Sequence, residues 1–123
     1  MVGYNMGTVE SCFADIIWEN EPLSTSQLVE ICKEKFNWKR TTTYTVLKRL
    51  CEGGVFKLEN SVVTSLISRE NFYSAKSESF VEESFNGSLP AFIAAFTKRK
   101  KLSKDEIDEI RKMIDDYKPE AED

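Results

Sequence analysis

Histidine is absent from this chain of 123 residues. Because histidine is the usual general base near neutral pH and the commonest zinc ligand, its absence removes the residue on which many catalytic and metal sites depend. Ser, Thr and Cys are plentiful, but no recognisable base lies beside any of them to activate a nucleophile. The sequence therefore disfavours an enzyme, and it predicts no catalytic residue, metal site or cofactor.

Cysteine is scarce, with three residues in the whole chain. The number is odd, and the spacing contains no Cys-x-x-Cys pair. Each cysteine also falls within an apolar pattern of helical period, where a reduced thiol behaves as a small hydrophobic residue. A disulfide framework is therefore disfavoured, and we expect three reduced core thiols at Cys12, Cys32 and Cys51.

Long apolar runs are also missing. No stretch approaches the roughly 20 residues that a membrane-spanning helix needs, and the segment from Met1 to Met6 is too short and polar for a signal peptide. A hydrophobic fraction of 41% suits one small folded domain, with or without an accessory element. We expect a cytoplasmic protein without membrane insertion.

One stretch, from Asn37 to Gly54, combines an apolar stripe with a polar face that carries no acid between Lys39 and Arg49. Consecutive threonines are poor helix formers, so their presence calls for another explanation. Short hydroxyls beside Lys and Arg suit phosphates and base edges. The pattern predicts a DNA-recognition helix around residues 40–52. The stripe consists of Thr43, Val46, Leu47, Leu50 and Cys51, and the polar face of Thr41, Thr42, Thr45, Lys48 and Arg49.

The net charge of −4 is unusual for a DNA-binding protein, but binding needs only a local positive surface. Lys39, Arg40, Lys48 and Arg49 could form one around the predicted helix. A second basic run extends from Lys98 to Lys104. A solvated linker is the simpler interpretation of that run.

Two helices are predicted before the recognition helix. Thr8 is expected to cap the first. Ser24 and Gln27 form a capping-box pattern for the second, and a short connection from Asn37 to Lys39 follows. This is the helix-turn-helix order. The residues predicted to face inward are Val9, Cys12, Phe13, Ile16 and Ile17 in the first helix, and Leu28, Ile31, Cys32 and Phe36 in the second.

A β-hairpin is predicted after Gly53 and Gly54. Two β-prone runs, residues 55–58 and 62–67, surround a short polar turn. Three helices followed by a hairpin are the order of a winged helix. The sequence thus predicts a mainly α protein with a winged-helix DNA-binding domain at residues 1–68.

The remaining residues, 69–123, are predicted to form a helical dimerisation domain. A helix from Arg69 to Phe85 is followed by one that Ser88 caps and by one with a capping box at Ser103 and Glu106. Their apolar surface exceeds what so few residues can bury, so we expect a symmetric homodimer. Folding back onto the first domain is the alternative. The expected dimerisation residues are Phe72, Phe80, Phe85, Leu89, Phe92, Ile93, Phe96, Ile107, Ile110 and Ile114.

A series of short motifs extends along nearly the whole chain. The motifs are Ile16-Ile17-Trp18-Glu19, Asn37-Trp38, Thr42-x-x-Thr45-x-Leu47-x-Arg49-Leu50 with Gly53-Gly54, Ser68-Arg69-Glu70, Phe85-Asn86-Gly87-Ser88-Leu89, Ala94-Ala95-Phe96 and Leu102-Ser103-x-x-Glu106-Ile107. In these motifs and their order the chain resembles the penicillinase-repressor family of bacterial transcriptional regulators (the BlaI/MecI/CopY family). No single motif is decisive, but the collinear order is specific.

The resemblance implies a homodimeric repressor that binds an inverted-repeat operator in double-stranded DNA. Lys48 and Arg49 are expected on phosphates, and Thr41, Tyr44 and Thr45 on base edges or thymine methyls. Packing is the alternative for Tyr44, and a structural role is preferred for Trp18 and Trp38. A winged-helix module that binds proteins rather than a specific DNA sequence is the alternative function. The implied DNA-binding set is Lys39, Arg40, Thr41, Thr42, Tyr44, Thr45, Lys48 and Arg49.

The sequence departs from the family in three places. The basic and tyrosine residues usual in the family's wing are missing except for Lys57. The cysteine-rich metal-sensing tail of the copper-responsive branch is absent. In the β-lactam branch a membrane sensor-protease system cleaves an Asn-Phe bond, and the equivalent bond here is Ala95-Phe96. Regulatory cleavage at that bond is therefore a hypothesis.

Overall fold

The computed structural model describes residues 6–119 of the chain. Within this range the chain is mainly helical with one small sheet, as the sequence predicts. In chain order the elements are α1 (Thr8–Asn20), β1 (Leu23–Ser24), α2 (Thr25–Phe36), α3 (Arg40–Glu52), β2 (Phe56–Glu59), β3 (Val62–Ser65), α4 (Arg69–Phe85), α5 (Leu89–Arg99) and α6 (Lys104–Asp116).

The chain divides into two compact units, Met1–Phe80 and Val81–Asp123, so the division falls inside α4. The first unit contains the three N-terminal helices, the sheet and most of α4. The second contains the end of α4 together with α5 and α6. The functional boundary expected between residues 68 and 69 stays a prediction.

The core of the first unit is built from the apolar stripes of its helices and from the inner face of the sheet. In α3 the predicted stripe is confirmed, because Thr43, Val46, Leu47 and Leu50 are buried and Cys51 is half-buried. Burying these side chains stabilises the packing of the helices by about 25 cal/mol for each Å² of apolar surface removed from water. The other contributions come from Phe13, Ala14, Ile16, Ile17, Leu28, Cys32, Val55, Phe56, Val63 and Phe72.

The predicted caps are right for α2 and wrong for α1. Ser24 Oγ accepts a hydrogen bond from the Gln27 backbone N–H, and the Gln27 side chain accepts one from the Ser24 backbone N–H. Thr8, by contrast, is already helical, and the cap is Gly7 in an extended conformation. The backbone N–H of Gly7 donates to Glu10 Oε1 at 3.3 Å. At the start of α1, the side chain that bonds the backbone of the cap is therefore that of Glu10, the third helical residue.

The sheet has the order β1-β3-β2 and is antiparallel throughout. The predicted hairpin is confirmed, and Asn60 and Ser61 at its turn both have positive φ values, 54° and 61°. Positive φ at both central residues defines the type I′ turn that suits a two-residue hairpin loop. Strand β1 was not predicted, because two residues give no alternating pattern and Ser24 also serves as the cap of α2.

Two predicted core residues of α1 lie on the surface. The Val9 side chain is 53% exposed, and Cys12 is exposed as well. The apolar stripe of α1 is therefore shorter than its sequence pattern indicates, since only its second half packs against α2 and the sheet. The prediction of a core thiol is wrong for Cys12 and right for Cys32, while Cys51 is partly covered; all three thiols are free. Burial raises the pKa of Cys32 and Cys51.

The second unit is helical, as predicted, and two of its helices begin at serine caps. Ser88 Oγ accepts from the Ala91 N–H at 3.1 Å, and Ser103 Oγ accepts from the Glu106 N–H at 3.1 Å. Gly87 has φ +79°, a conformation that glycine adopts without strain, between α4 and α5. Neither α5 nor α6, both wholly described, contains a buried residue.

No helix among residues 6–119 is long and apolar enough to cross a membrane. Within the same range, no three Cys, Asp or Glu side chains are grouped closely enough to hold a metal ion.

Candidate nucleic-acid interface

The position of α3 is fixed by its connection to α2. Asn37 ends α2 in the left-handed conformation, and its backbone N–H donates to the Lys33 carbonyl at 3.0 Å. The Trp38 ring then packs 5.7 Å from the Phe13 ring and 4.8 Å from the Phe36 ring. This tryptophan closes the turn of the helix-turn-helix, in agreement with the structural role preferred for it.

The predicted DNA-binding residues all lie on α3 or at its N-cap. Seven of their side chains are exposed and one, that of Tyr44, is half-buried. They surround the part of the helix that the buried stripe leaves uncovered, and none is acidic. The exposed residues are Lys39, Arg40, Thr41, Thr42, Thr45, Lys48 and Arg49.

The threonines are accommodated by hydrogen bonds to the carbonyls one turn earlier. Thr45 Oγ1 donates to the Thr41 carbonyl at 2.9 Å, and Thr43 Oγ1 donates to the Lys39 carbonyl at 3.3 Å. Such bonds satisfy the hydroxyl proton within the helix. Thr43 is buried, so its role is packing. The exposed Thr45 presents a methyl group and an acceptor oxygen to the surroundings.

Tyr44 links the polar face of α3 to the wing. The guanidinium of Arg40 lies over the Tyr44 ring, 5.5 Å from its centroid, in a cation–π contact. The ring also borders a groove of about 370 Å³ between α3 and β2. The Tyr44 side chain is partly packed and partly exposed, so its position is compatible with both a DNA contact and a packing role. The groove is lined by Tyr44, Leu47, Lys48, Cys51 and Leu58.

Arg49 makes an ion pair that the sequence did not predict. Its Nη1 donates to Oε2 of Glu10, a residue of α1 that lies 39 positions earlier. The Arg49 side chain is 53% exposed, whereas that of Glu10 is only 15% exposed. No local pattern could have indicated this contact, because it depends on how α1 packs beside α3.

The wing has little positive charge, as the sequence indicates. Lys57 Nζ lies 3.5 Å from Glu59 Oε1 in an exposed ion pair. Leu58 and Leu66 are each about half exposed. In this winged helix, α3 carries more basic residues than the wing does.

Trp18 and the start of α4 connect the sheet to the helices of the first unit. Trp18 Nε1 donates to the Ile67 carbonyl at 3.0 Å, and its ring lies 5.8 Å from the Phe72 ring. Phe72 is 0% exposed. The Phe72 side chain therefore packs in the core of the first unit, which argues against the dimer contact expected for it.

An apolar groove of about 310 Å³ lies between α5 and α6 in the second unit. Five of the expected dimerisation residues line it, and Arg111 is the only polar residue among the groove's lining. The Phe92 ring lies 5.7 Å from the Phe85 ring and 5.9 Å from the Phe96 ring. Phe80, another expected dimerisation residue, is the last residue of the first unit and is half-exposed. The groove is lined by Leu89, Pro90, Ile93, Leu102, Ile107, Ile110, Arg111 and Ile114.

Three helices followed by a β-hairpin wing, with an exposed basic face on the third helix, define a winged-helix protein. The chain belongs to the penicillinase repressor family, whose model matches residues 6–116. This confirms the resemblance drawn from the motifs. The family is one of regulatory repressors rather than enzymes.

Two relatives match over most of their length. The penicillinase repressor of Bacillus licheniformis is 25% identical over 107 residues, which are 84% of this chain and 84% of that protein. The methicillin resistance regulatory protein MecI of Staphylococcus aureus strain Mu50 is 25% identical over 115 residues, which are 90% of this chain and 94% of that protein.

Proposed function

We propose that the protein is a transcriptional repressor that binds double-stranded DNA as a homodimer through α3. The proposal rests on the exposed face of this helix. Two cationic and two hydroxyl side chains lie there around Tyr44, with no acidic side chain among them. Family membership supports the same function, because the matched relatives are named as a repressor and a resistance regulator. The four residues are Arg40, Thr41, Thr45 and Lys48.

Each residue has a role that its chemistry suggests. Lys48 and Arg49 contact phosphates, because ammonium and guanidinium groups supply most of the sequence-independent attraction to DNA. Thr41, Tyr44 and Thr45 reach base edges or thymine methyl groups in the major groove. Lys39, Arg40 and Thr42, at the start of the helix, approach the backbone or the groove edge.

A dimer determines the geometry of the operator. Two recognition helices related by a twofold axis enter successive major grooves about 34–36 Å apart, so the half-sites of an inverted repeat are separated by about one helical turn. The apolar groove between α5 and α6 supports this assembly, since a second copy would cover it. A DNA-binding repressor in a bacterium acts in the cytoplasm, which is the localisation we propose.

The proposal is tested by selecting duplexes from fragmented genomic DNA with the purified protein and measuring mobility shifts on those enriched. Sequence-selective shifts at moderate salt are expected for inverted repeats. Failure to enrich any sequence would instead support a protein-interaction module. The exposed leucines and the Lys57–Glu59 pair of the wing are the features that favour this second function.

Lys48→Ala tests the assigned face of α3. Loss of one phosphate contact is expected to weaken binding to all sequences and to reduce the slope of log K against log salt by about 0.9. Lys35→Ala is the matched control, because this exposed lysine of α2 borders a groove with α1 rather than the exposed face of α3. An unchanged affinity and slope in Lys48→Ala, or an equal change in both variants, would contradict the assignment.

Regulatory cleavage between Ala95 and Phe96 is a separate proposal about how repression ends. Both residues are exposed, but they lie inside α5, and the Phe96 carbonyl accepts a hydrogen bond from the Lys100 N–H at 3.1 Å. Cleavage therefore requires local unwinding of α5. Incubation with a membrane sensor-protease system should yield two fragments that mass spectrometry assigns to this bond. A chain that remains intact beside a cleaved reference repressor would count against it.

A further inference from the structure

Glu10 connects the first turn of α1 to the last turn of α3. Its Oε1 accepts a hydrogen bond from the Gly7 backbone N–H at 3.3 Å, while its Oε2 accepts one from Arg49 Nη1. The carboxylate is mostly covered, and the guanidinium is about half exposed. One end of this pair is thus fixed by the fold, and the other faces outward.

Arg49 occupies the flank of the proposed DNA-binding face. Successive residues of an α-helix are rotated by about 100°, so residues seven apart, such as Thr41 and Lys48, lie on the same side. Arg49 is one step further around the helix, on the side where α1 contributes Glu10. A side chain at this edge suits the phosphate backbone that borders a groove rather than the base edges within it.

We propose that Glu10 is a positioning residue that holds the guanidinium of Arg49 in place to contact a phosphate. This inference rests on the proposed DNA-binding function. A guanidinium has five N–H donors in a rigid fork, so it can pair with a carboxylate and a phosphate together. Its long side chain loses rotamer freedom on binding, and an ion pair present beforehand removes part of that loss.

A simple charge effect would act in the opposite direction. Glu10 carries a negative charge near the proposed interface, so its removal should strengthen binding to any DNA if it acts only by repulsion. Glu10→Gln keeps the charge of Arg49, so the sequence-independent attraction should remain. A phosphate contact of fixed geometry matters only where the protein has a fixed register on the duplex, so loss of positioning should weaken the operator complex and leave non-specific binding unimpaired. The ratio of operator affinity to random-duplex affinity therefore separates positioning from charge.

The test compares Glu10→Gln in the wild-type and Arg49→Ala backgrounds. Affinity is measured for a duplex enriched from genomic DNA by the wild-type protein and for a shuffled duplex of equal length and composition. We expect Glu10→Gln to lower the operator-to-random ratio about fivefold to tenfold when Arg49 is present, and less than about twofold when Arg49 is alanine. Glu30→Gln, which removes the same charge from an exposed site on α2, should leave the ratio unchanged.

Two results would overturn the positioning role. One is an equal gain in affinity for both duplexes, and the other is a loss of ratio that is the same with and without Arg49. Thermal unfolding of each variant shows whether it still folds. If Glu10→Gln does not fold, Glu10→Asp is the milder variant, because it keeps the charge but shortens the side chain, and the same loss of the operator-to-random affinity ratio is expected. If the wild-type protein enriches no duplex, the proposed function fails as well. If it enriches one, but Glu10→Gln changes the affinity ratio equally with and without Arg49, only this inference fails.

Discussion

The two compact units use their apolar residues in opposite ways. In the first, side chains such as Phe13, Leu28 and Phe56 are at most 1% exposed. In the second, α5 and α6 bury no residue, and Leu89 and Ile110 remain 50% and 39% exposed. Helices with serine caps and an apolar stripe occur in both units. The stripe therefore reports which face of a helix is apolar, and not what covers it.

The difference also separates two ways of completing a core. In the first unit, helices that come before and after the β-hairpin in the sequence pack together with a three-stranded sheet. The second has two short helices whose apolar faces meet in a groove that they do not fill. Because exposed apolar surface of this kind marks interaction sites, it supports a second copy as the missing layer.

Phe72→Ala gives the largest effect expected from this comparison. Removing a fully buried phenylalanine should lower the free energy of unfolding by about 3–5 kcal/mol, because it leaves a cavity beside Trp18. Association between chains should not change. Urea unfolding followed by Trp fluorescence measures the first quantity, and analytical ultracentrifugation the second.

The half-exposed Phe80 of the same helix is the control for Phe72. Phe80→Ala should cost much less stability, since about half of its surface is already in water. If Phe72→Ala left stability intact and weakened association, Phe72 would belong to the interface after all.

Ile110→Asp is the next largest change, and it probes the second unit. A charge placed in the apolar groove should weaken association at least about tenfold, equivalent to about 1.4 kcal/mol, because covering the groove would bury that charge. Sedimentation equilibrium at several concentrations measures the dissociation constant.

Met113→Asp is the matched control, since Met113 is on α6 and 65% exposed but does not line the groove. It should change association less than Ile110→Asp does. Equal effects would mean that exposure on α6, rather than the groove, determines association, and no effect of either would contradict the proposed dimer surface.

What could be predicted from the sequence was mostly local. The capping boxes at Ser24 and Ser103 join residues only three positions apart, so their spacing is visible without a fold. The exposed and buried sides of α3 follow from helical periodicity in the same way. The hairpin is recognisable from its short polar segment between β-prone runs, whereas the positive φ values at its turn were not predicted.

The wrong cap at Thr8 is a local error, but the tertiary contacts that were missed join distant positions. Glu21 accepts hydrogen bonds from Ser65, which is 44 residues away, and this contact helps place β3 next to the unpredicted β1. Arg69 pairs with Asp15 across 54 residues at the start of α4, beside the buried Phe72. The pairing of Glu10 with Arg49 has the same origin. None has a spacing that a sequence pattern could reveal.

Thiol labelling, which needs no substitution, probes how tightly the first unit is closed. Cys12 is exposed and should react first with a thiol reagent, whereas the buried Cys32 should react slowest. Burial raises the pKa of Cys32 and Cys51, so at a given pH fewer of these thiols are in the reactive thiolate form, and their labelling should accelerate only at higher pH. Mass spectrometry at pH 7 and pH 9 distinguishes the sites. Fast labelling of Cys32 at pH 7 would mean that its core opens readily, and the contrast between the two units would then be smaller than their exposed surfaces indicate.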